Sequence, residues 1–359
     1  WLTTGSQVNE FEKKIAEYLG VRHIIAVNSC TAALHLALAA KGFGMGQKFI
    51  IPTLTFASTI ECGEYLGMEP ILLDSSKNGF LMDLNQIEDI VRNDNSIKAI
   101  VPVHYAGESV NLHSIMEIAN NFNLFVLQDA AHAFETEFNG NKIGNTNHAA
   151  AFSFYANKNL TTGGEGGALA TNDSNLARRV KKLSLHGITK DGWNRFKTNG
   201  NWEYDIVEMG YKYNLTDYAA CFGLWQMGQI DRWQKRRTEI VSKYNQGLSD
   251  IDSIILPNIL EGHAKHLFVI RLDLDRWSIS RNSFIEKMNE RGVGLAVHYK
   301  PIHQLSYYKK KYDFNYNNFG VANSLYKSIV SLPIYPNLSN KSLDYIIENI
   351  KDLHNTYSK

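Results

Sequence analysis

Residues 153–171 read SFYANKNLTTGGEGGALAT and place a single lysine, Lys158, between an apolar run and a glycine-rich turn. The apolar run, residues 149–155, has the length and composition of a buried strand. A lysine at the end of such a strand loses hydration, so its amine deprotonates more readily and can attack a carbonyl carbon. The glycines after it let the backbone turn tightly and approach a bound group closely. On this segment alone, a solvated loop lysine is the alternative to a catalytic one.

The composition is that of an ordinary globular protein of enzyme size. The chain has 359 residues, 44% hydrophobic and 20% charged, enough for a large α/β domain with a smaller appendage. A formal net charge of +1 gives no reason to expect nucleic acid or a membrane surface as a partner. No apolar run reaches the roughly 18 residues of a membrane span. Cys30, Cys62 and Cys221 are widely spaced, which is typical of reduced cytoplasmic thiols, and no Cys/His spacing indicates a metal site.

Short apolar runs alternate with helical patterns over much of the chain. The predicted strands are 23–27, 48–51, 69–73, 97–103, 124–128, 149–154 and 168–170. The predicted helices are 8–19, 31–40, 84–91 and 112–120. This alternation predicts a mostly parallel sheet covered on both faces by helices. Ligands of such sheets bind at the carboxyl ends of the strands.

The pattern changes after a long predicted helix at 216–248. The elements that follow it are a strand at 266–272, a helix at 280–291, a strand at 295–298 and a helix at 343–354. We therefore expect a large α/β domain at 1–235 and a small α+β domain at 236–359. Residues 187–214 are rich in Trp, Asn, Gly and Lys with little periodicity, which indicates a loop over a site or towards a partner subunit.

Candidate ligand-binding side chains follow the first two strands. Ser29, Cys30 and Thr31 lie where a strand passes into a helix, and free backbone N–H groups and hydroxyls there make an anion site. A plain helix N-cap is the alternative. Phe56 follows the next strand and would offer its ring face to an aromatic ligand, with a core position as the alternative.

A carboxylate follows the buried run at 124–128. Asp129 is costly to bury unless it pairs with a cation or a donor, which suggests a counter-ion for a protonated ring nitrogen; a helix N-cap is the alternative. A phosphate cradle, an aromatic plate, this carboxylate and the amine of Lys158 together describe a site for pyridoxal 5′-phosphate (PLP).

Taken whole, the chain resembles the sugar aminotransferases of the DegT/DnrJ/EryC/StrS group. The matching segments include WLTTG (1–5), NSCTAALHLAL (28–38), IPTLTFAST (51–59), VPVHYAG (101–107), DAAHA (129–133), MGYKYNLTDYAACFGLWQM (209–227), VHYKPIHQLSYY (297–308) and LPIYPNLS (332–339). The resemblance implies the α/β fold of PLP-dependent transferases of fold type I. In that fold a mostly parallel mixed sheet is sandwiched by helices and joined to a smaller C-terminal α+β domain.

The resemblance also implies the roles of individual residues. Lys158 would be the Schiff-base lysine and general base, and Asp129 would pair with the pyridine nitrogen. Phe56 would stack on one ring face, and His132 would lie near the ring substituents. The residues that would hold the phosphate are Cys30, Thr31 and Ser153, and Ser29 is added to the cofactor residues from its place at the helix start.

One segment departs from the family pattern. The chain reads GYKYN at 210–214 where many members read GYNYR, so the amide and the cation have exchanged places. In the family this loop reaches the active site of a neighbouring subunit, which implies a homodimer with shared sites. Either Lys212 or Asn214 would contact the phosphate bound by the partner, since lysine binds phosphate as a point charge.

The implied reaction is transfer of an amino group from L-glutamate to a nucleotide-linked 4-keto-6-deoxy sugar. PLP would pass through pyridoxamine phosphate in each cycle. Relatives that dehydrate sugars replace the lysine with histidine, whereas this chain keeps Lys158, and the TTGGEGG form of the loop favours amination at C-4. A C-3 aminotransferase and a PLP-binding accessory protein without turnover remain the alternatives.

The remaining assignments concern the substrate and the pathway. The candidate residues for the sugar nucleotide are Thr4 (with Thr3), His186, His298 and His303, each with a surface or packing role as its alternative. A cytoplasmic enzyme of lipopolysaccharide O-antigen biosynthesis is the expected setting.

Overall fold

The computed structural model describes residues 1–77, 79–189 and 204–359. Its strands are β1 (His23–Val27), β2 (Lys48–Pro52), β3 (Glu69–Leu73), β4 (Ile97–Ile100), β5 (Phe125–Asp129), β6 (Glu137–Phe138), β7 (Asn141–Lys142), β8 (Ala149–Ser153), β9 (Gly167–Thr171), β10 (Ile254–Ile255), β11 (Phe268–Leu272) and β12 (Ile329–Leu332). Its α-helices are α1 (Ser6–Leu19), α2 (Cys30–Lys41), α3 (Ser58–Glu64), α4 (Ile87–Asn93), α5 (Leu112–Phe122), α6 (Ser174–Leu183), α7 (Asp217–Met227), α8 (Ile230–Leu248), α9 (Arg281–Glu290), α10 (Ser306–Lys311), α11 (Gly320–Ser328) and α12 (Asn340–Tyr357).

A seven-stranded mixed sheet forms the centre of the molecule, in the order β1-β9-β8-β5-β4-β2-β3. The pairs from β8 to β3 are parallel, whereas β9 runs antiparallel to both of its neighbours. The carboxyl ends of β1, β2, β4, β5 and β8 therefore share one edge with the amino end of β9. This confirms the predicted fold class, and it brings the segments after these strands together.

Alternating side chains of the strands enter different cores because successive residues of a strand point to opposite faces. Ile25 and Val27 of β1 join the cluster around α2, while Ile24 and Ala26 join the cluster that contains α1. Every residue of β5, β8 and β9 is buried, as expected for central strands covered on both faces.

A three-stranded antiparallel sheet, β10-β11-β12, forms a second layer with α8, α9 and α12. Its apolar core draws its buried residues from position 240 onward. The expected boundary between residues 235 and 236 falls inside α8, and this division into domains stays a prediction. No helix among the described residues has the length and apolarity needed to cross a membrane.

The structure corrects two predicted elements. The helix expected at 216–248 is two helices, α7 and α8, which are separated at Gly228 and Gln229. Residues 295–298, described here in full, form no strand: Ala296 makes only an isolated bridge to Ser331, and β12 is the third strand. Of the loop expected at 187–214, residues 190–203 lie outside the described residues.

Candidate functional site

A cavity of about 530 Å³ lies at the sheet edge where the strand ends meet. It is lined by Ser29, Cys30, Thr31, Thr55, Phe56, Ser58, Val103, Asp129, Ala131, His132, Ser153, Tyr155, Asn157, Lys158, Glu165, Gly166, His298 and Tyr299. The lining thus includes the predicted catalytic lysine and seven of the nine predicted cofactor residues, all except Lys212 and Asn214. The parallel strands explain this convergence, since the segments involved are far apart in the sequence.

The amino end of α2 forms one wall of the cavity. Ser29 caps the helix, its Oγ accepting from the backbone N–H of Ala32 at 3.1 Å. Thr31 Oγ1 donates to Ser58 Oγ at 3.0 Å, which ties this helix to the start of α3. A Cβ on Gly167 would lie 2.4 Å from the carbonyl carbon of Ser29, so glycine is required where β9 passes the helix terminus. Backbone amides, hydroxyls and the positive end of the helix dipole make this wall suited to a phosphate.

Asp129 ends β5 as a buried carboxylate with two protein donors. Thr59 Oγ1 donates to its Oδ2 at 2.8 Å, and the backbone N–H of Ala131 donates to its Oδ1 at 3.2 Å. Burial raises the pKa of Asp129, while these hydrogen bonds and the charge of Lys158 oppose the rise. A cationic ring nitrogen beside Asp129 would favour the ionised carboxylate, because a neighbouring positive charge lowers the pKa of a carboxyl group, as Lys158 does here.

Lys158 lies on the loop that follows β8, and its backbone N–H donates to the carbonyl of Tyr155 at 3.0 Å. Burial lowers the pKa of its amine, whereas the neighbouring Cys30 and Asp129 raise it. The Cys30 thiol has a pKa well above its ordinary value, because it is buried and lies close to Asp129. A lysine of reduced basicity beside a buried carboxylate is a pattern that marks functional sites.

Phe56 and His132 also face the cavity, but His132 does so with both ring nitrogens engaged. The ring of Phe56 is 58% exposed and lies 5.7 Å from that of Tyr299. The backbone N–H of Ala106 donates to Nδ1 of His132 at 3.2 Å, so the ring proton is on Nε2 and donates to Tyr299 Oη at 2.9 Å.

Sequence reasoning missed Tyr299 and Thr59, although both belong to segments that carried the resemblance. Tyr299 directly follows the predicted substrate residue His298, whose Nδ1 pairs with Ser331 Oγ at 2.8 Å. Burial lowers the pKa of His298 to about 4. The sequence offers one signal for Tyr299, which is its position directly after His298, a residue already predicted to bind the substrate.

The other predicted substrate residues lie outside this cavity. His303 is buried, with Nδ1 paired to Thr53 Oγ1 at 2.7 Å and Nε2 to Asn323 Oδ1 at 2.9 Å. His186 is exposed in a turn after α6, and Thr4 bonds through Oγ1 to the carbonyl of Leu215 at 2.6 Å. Their substrate-binding roles stay predictions.

Lys212 and Asn214 lie together at the outer edge of the sheet. Asn214 Nδ2 donates to Thr4 Oγ1 at 2.8 Å, and its Oδ1 accepts from the exposed amine of Lys212. The backbone N–H of Asn28, next to Ser29, donates to the carbonyl of Tyr213 at 2.8 Å. The segment is thus fixed close to the helix terminus of its own subunit without entering the cavity.

The residues of the cavity fit PLP. A helix amino end with hydroxyl groups suits the phosphate, an exposed aromatic face suits the ring, a buried carboxylate suits a pyridinium nitrogen, and an amine suits an aldehyde. Among the residues that the structure describes, no group of three or more His, Cys, Asp or Glu side chains is placed to hold a metal ion.

Known proteins similar to this chain cover nearly its full length. The model of the DegT/DnrJ/EryC1/StrS aminotransferase family matches residues 1–351. The spore coat polysaccharide biosynthesis protein SpsC of Bacillus subtilis (strain 168) is 41% identical over 356 residues, which are 98% of this chain and 91% of SpsC.

Solved structures share the whole architecture. Spr1654 from Streptococcus pneumoniae in its PMP form superposes with a TM-score of 0.91 at 30% identity, covering 99% of this chain and 94% of that one. PseC from Helicobacter pylori, an aminotransferase involved in the biosynthesis of pseudoaminic acid, gives 0.90 at 27% identity, covering 99% and 93%.

Proposed function

The chain belongs to the DegT/DnrJ/EryC1/StrS aminotransferase family, and we propose that it transfers the amino group of L-glutamate to a nucleotide-linked 4-keto-6-deoxy sugar. It has the fold of PLP-dependent transferases of fold type I and is a PLP-dependent sugar aminotransferase that alternates between PLP and pyridoxamine phosphate. The observation that carries the proposed chemistry is the meeting of Lys158, Asp129 and the amino end of α2 in one cavity.

Six of the residues that line the cavity would bind the cofactor. Ser29, Cys30, Thr31 and Ser153 would hold the phosphate, and Phe56 would cover one face of the ring. Asp129 would keep a proton on the ring nitrogen through its negative charge, and the bound cofactor then supplies an electron sink for the substrate carbon.

Lys158 provides the proton transfer. Its lowered pKa leaves more of the amine neutral near pH 7, so Nζ could accept the proton from the α-carbon of glutamate and pass it to the cofactor, and in the second half could move a proton from the cofactor to the carbonyl carbon of the sugar. The nearby carboxylate of Asp129 stabilises the ammonium that forms in between, since opposite charges favour the ionised states of both groups. One positioned amine therefore serves both halves of the reaction.

A homodimer with shared sites is the proposed assembly. Tyr218, Phe222 and Trp225 are exposed on α7 at a spacing that places them on one helix face. An exposed apolar surface of this kind marks an interaction site. The amide of Asn214 is half-buried against Thr4, whereas Lys212 is exposed and its amine bonds only to Asn214 Oδ1 among the contacts of the described residues, so we assign this flexible cation as the group that reaches the partner's phosphate.

The substrate and pathway assignments are argued from the cavity, the glycine-rich loop and one relative. His298 lies in the cavity and is the substrate contact that the geometry favours, whereas amination at C-4 rests on the glycine-rich loop. SpsC is named for polysaccharide biosynthesis, which supports a role in surface glycans. We propose O-antigen synthesis in the cytoplasm as the setting.

The test is an acceptor screen with the purified enzyme, PLP and L-glutamate. Nucleotide-linked 4-keto and 3-keto sugars are supplied in parallel, and release of 2-oxoglutarate is measured against the Lys158→Ala variant. We expect turnover with a 4-keto sugar and none in the variant. Turnover with 3-keto sugars alone would reverse the regiochemistry, and bound PLP without release of 2-oxoglutarate from glutamate, whichever acceptor is supplied, would indicate an accessory protein.

A further inference from the structure

The residue after Lys158 is the centre of a buried hydrogen-bond network. Asn159 is 7% exposed, and its side chain points away from the cavity that Lys158 lines. Its Nδ2 donates to Glu135 Oε2 and to the carbonyl of Ala264, both at 2.9 Å. Its Oδ1 pairs with His266 Nδ1 at 3.0 Å. One amide therefore joins the lysine loop to the segment after β5 and to the segment that leads into β11.

The donors and acceptors in this network have a single arrangement. Both hydrogens of Asn159 Nδ2 are used, so Oδ1 can only accept, and His266 carries its ring proton on Nδ1. Burial lowers the pKa of His266 well below its ordinary value, so the ring is neutral at pH 7. The amide of Asn159 has both donors and its acceptor paired, so the loss of this side chain leaves its buried polar partners without a hydrogen bond.

The network continues to the cavity through rings in contact. His266 packs on His132 with ring centroids 4.5 Å apart, and His132 donates to Tyr299 Oη. Burial also lowers the pKa of His132 well below its ordinary value, so this second ring adds no charge beside Lys158. Asn159 thus supports both the loop that carries the lysine and the part of the cavity wall that His132 and Tyr299 form.

A buried charge on the far side of the network adds to its rigidity. Burial raises the pKa of Glu135, and the hydrogen bond from Asn159 and the charge of Arg237 oppose the rise. Arg237 is itself buried, and its Nη1 donates to the carbonyls of Lys265 and Ile334 at 3.3 and 3.2 Å. Without Asn159, the carboxylate would lose a hydrogen bond that favours its ionised form.

We propose that Asn159 is a positioning residue that fixes the backbone on which Lys158 stands, and with it the place of the amine at the rear of the cavity. The inference rests on the proposed role of Lys158. A lysine has a flexible four-carbon stem, so the amine is placed reproducibly only when its Cα is held. Displacements of about 1 Å can cost an enzyme about 100-fold in rate.

The positioning of the loop determines how far water can reach the Lys158 amine. The titratable groups near the Lys158 amine are Asp129, Cys30, His132, His266 and His298. If the loop is released, water reaches the amine and its pKa moves up towards the ordinary value of 10.5. Less neutral amine is then present at pH 7 to join the aldehyde of PLP.

The experiment uses the full chain freed of cofactor, with PLP as the probe. PLP is added between pH 6 and 10, the adduct is fixed with borohydride, and labelling of Lys158 is quantified by peptide mass spectrometry. In Asn159→Ala we expect the midpoint of labelling to rise by about one pH unit and PLP to bind about tenfold more weakly at pH 7, because one pKa unit is a tenfold change in neutral amine.

Two further variants separate positioning from a general loss of stability. Trp277→Phe removes the hydrogen bond from the buried Trp277 Nε1 to the carbonyl of Ser253 (2.9 Å), in the core of the small sheet. We expect it to lower the unfolding temperature while the labelling midpoint stays at the wild-type value. His266→Phe keeps a ring against His132 but removes the bond to Asn159, and it should raise the midpoint by a smaller amount than Asn159→Ala.

The outcomes distinguish the proposed role of Lys158 from the positioning role of Asn159. Wild-type labelling at a residue other than Lys158 would refute the proposed function. Wild-type labelling at Lys158, with an unchanged midpoint and affinity in both Asn159→Ala and His266→Phe, would refute the positioning role alone. If Asn159→Ala does not fold, the His266→Phe profile decides.

Discussion

Replacement of Thr59 by valine tests the electrostatics of the cavity most directly. Thr59 is 0% exposed, and its Oγ1 donates to Asp129 Oδ2 at 2.8 Å and pairs with Thr55 Oγ1 at 2.8 Å. Valine has nearly the same shape, so Thr59→Val removes a donor without opening a large cavity. The carboxylate of Asp129 then keeps one protein donor, the backbone N–H of Ala131.

The magnitude follows from the hydrogen bond that is lost. A hydrogen bond to a charged group contributes about 1.5–3 kcal/mol, and 1.36 kcal/mol corresponds to one pKa unit. The variant should therefore raise the pKa of Asp129 further, because its ionised form loses more than its protonated form does. At a pH above both pKa values, the free energy of unfolding should fall by about 1.5–3 kcal/mol for the bond to the carboxylate, and by a further amount of about 0.5–1.5 kcal/mol, independent of pH, for the bond from Thr55.

The sign of the pH dependence is fixed by the raised pKa. An unfolded carboxyl ionises near the ordinary value of 3.8, while folded Asp129 retains its proton to higher pH. Stability therefore decreases as pH rises from 3.8 through the folded pKa of Asp129, and Asp129 adds no further change above it. Thr59→Val should deepen this decrease and extend it to higher pH, whereas at acidic pH the loss is that of two ordinary hydrogen bonds of about 0.5–1.5 kcal/mol each, to the protonated Asp129 and from Thr55.

Urea unfolding of the cofactor-free protein at several pH values between 4 and 9 measures the difference between variant and wild type. The matched control is Thr136→Val, because Thr136 is also 0% exposed and its Oγ1 donates to a neutral acceptor, the carbonyl of Gly107, at 2.8 Å. The control should give a difference that does not change with pH. If the loss of unfolding free energy in Thr59→Val is also independent of pH, Thr59 does not stabilise the ionised form of Asp129.

Two more predictions concern the phosphate wall and the partner subunit. Gly167→Ala places a Cβ 2.4 Å from the carbonyl carbon of Ser29, so the amino end of α2 must shift, and PLP affinity measured by absorbance titration should fall about tenfold or more; unchanged affinity would exclude this wall as the phosphate site. Lys212→Ala and Lys158→Ala should each be inactive alone and recover activity when co-expressed, because a mixed dimer holds one site with both lysines. No recovery in isolated mixed dimers would contradict the assignment of Lys212 to the partner's site.

The large sheet was predictable from sequence because its strands carry a clear signal. The strands at 23–27 and 69–73 agree with β1 and β3 at both ends, since apolar β-branched runs between turn residues favour strand structure. Parallel strands place their following loops at one edge, so Asp129 and Lys158 were expected to meet. The structure places them in one cavity.

The elements and residues that were predicted wrongly or missed lie where the local sequence does not decide the structure. The break between α7 and α8 falls at Gly228 and Gln229, and a single glycine inside a helical pattern is often tolerated. The run at 295–298 has strand-like composition, but strands also require a paired neighbour, and Ala296 has only a bridge. Tyr299 was missed for a related reason, because its bond to His132 joins residues 167 positions apart.

The two interpretations offered for single residues have different outcomes at Ser29 and Asp129. The helix cap and the anion ligand do not exclude each other at Ser29, because its Oγ caps α2 while the residue lines the cavity. At Asp129 the helix N-cap is wrong, because a turn and not a helix follows the residue. Oδ1 accepts the backbone N–H of Ala131 in this turn, whereas Oδ2 accepts from Thr59 on a different element. A carboxylate has about four acceptor positions, so these two bonds hold Asp129 in place and leave capacity for a ring nitrogen.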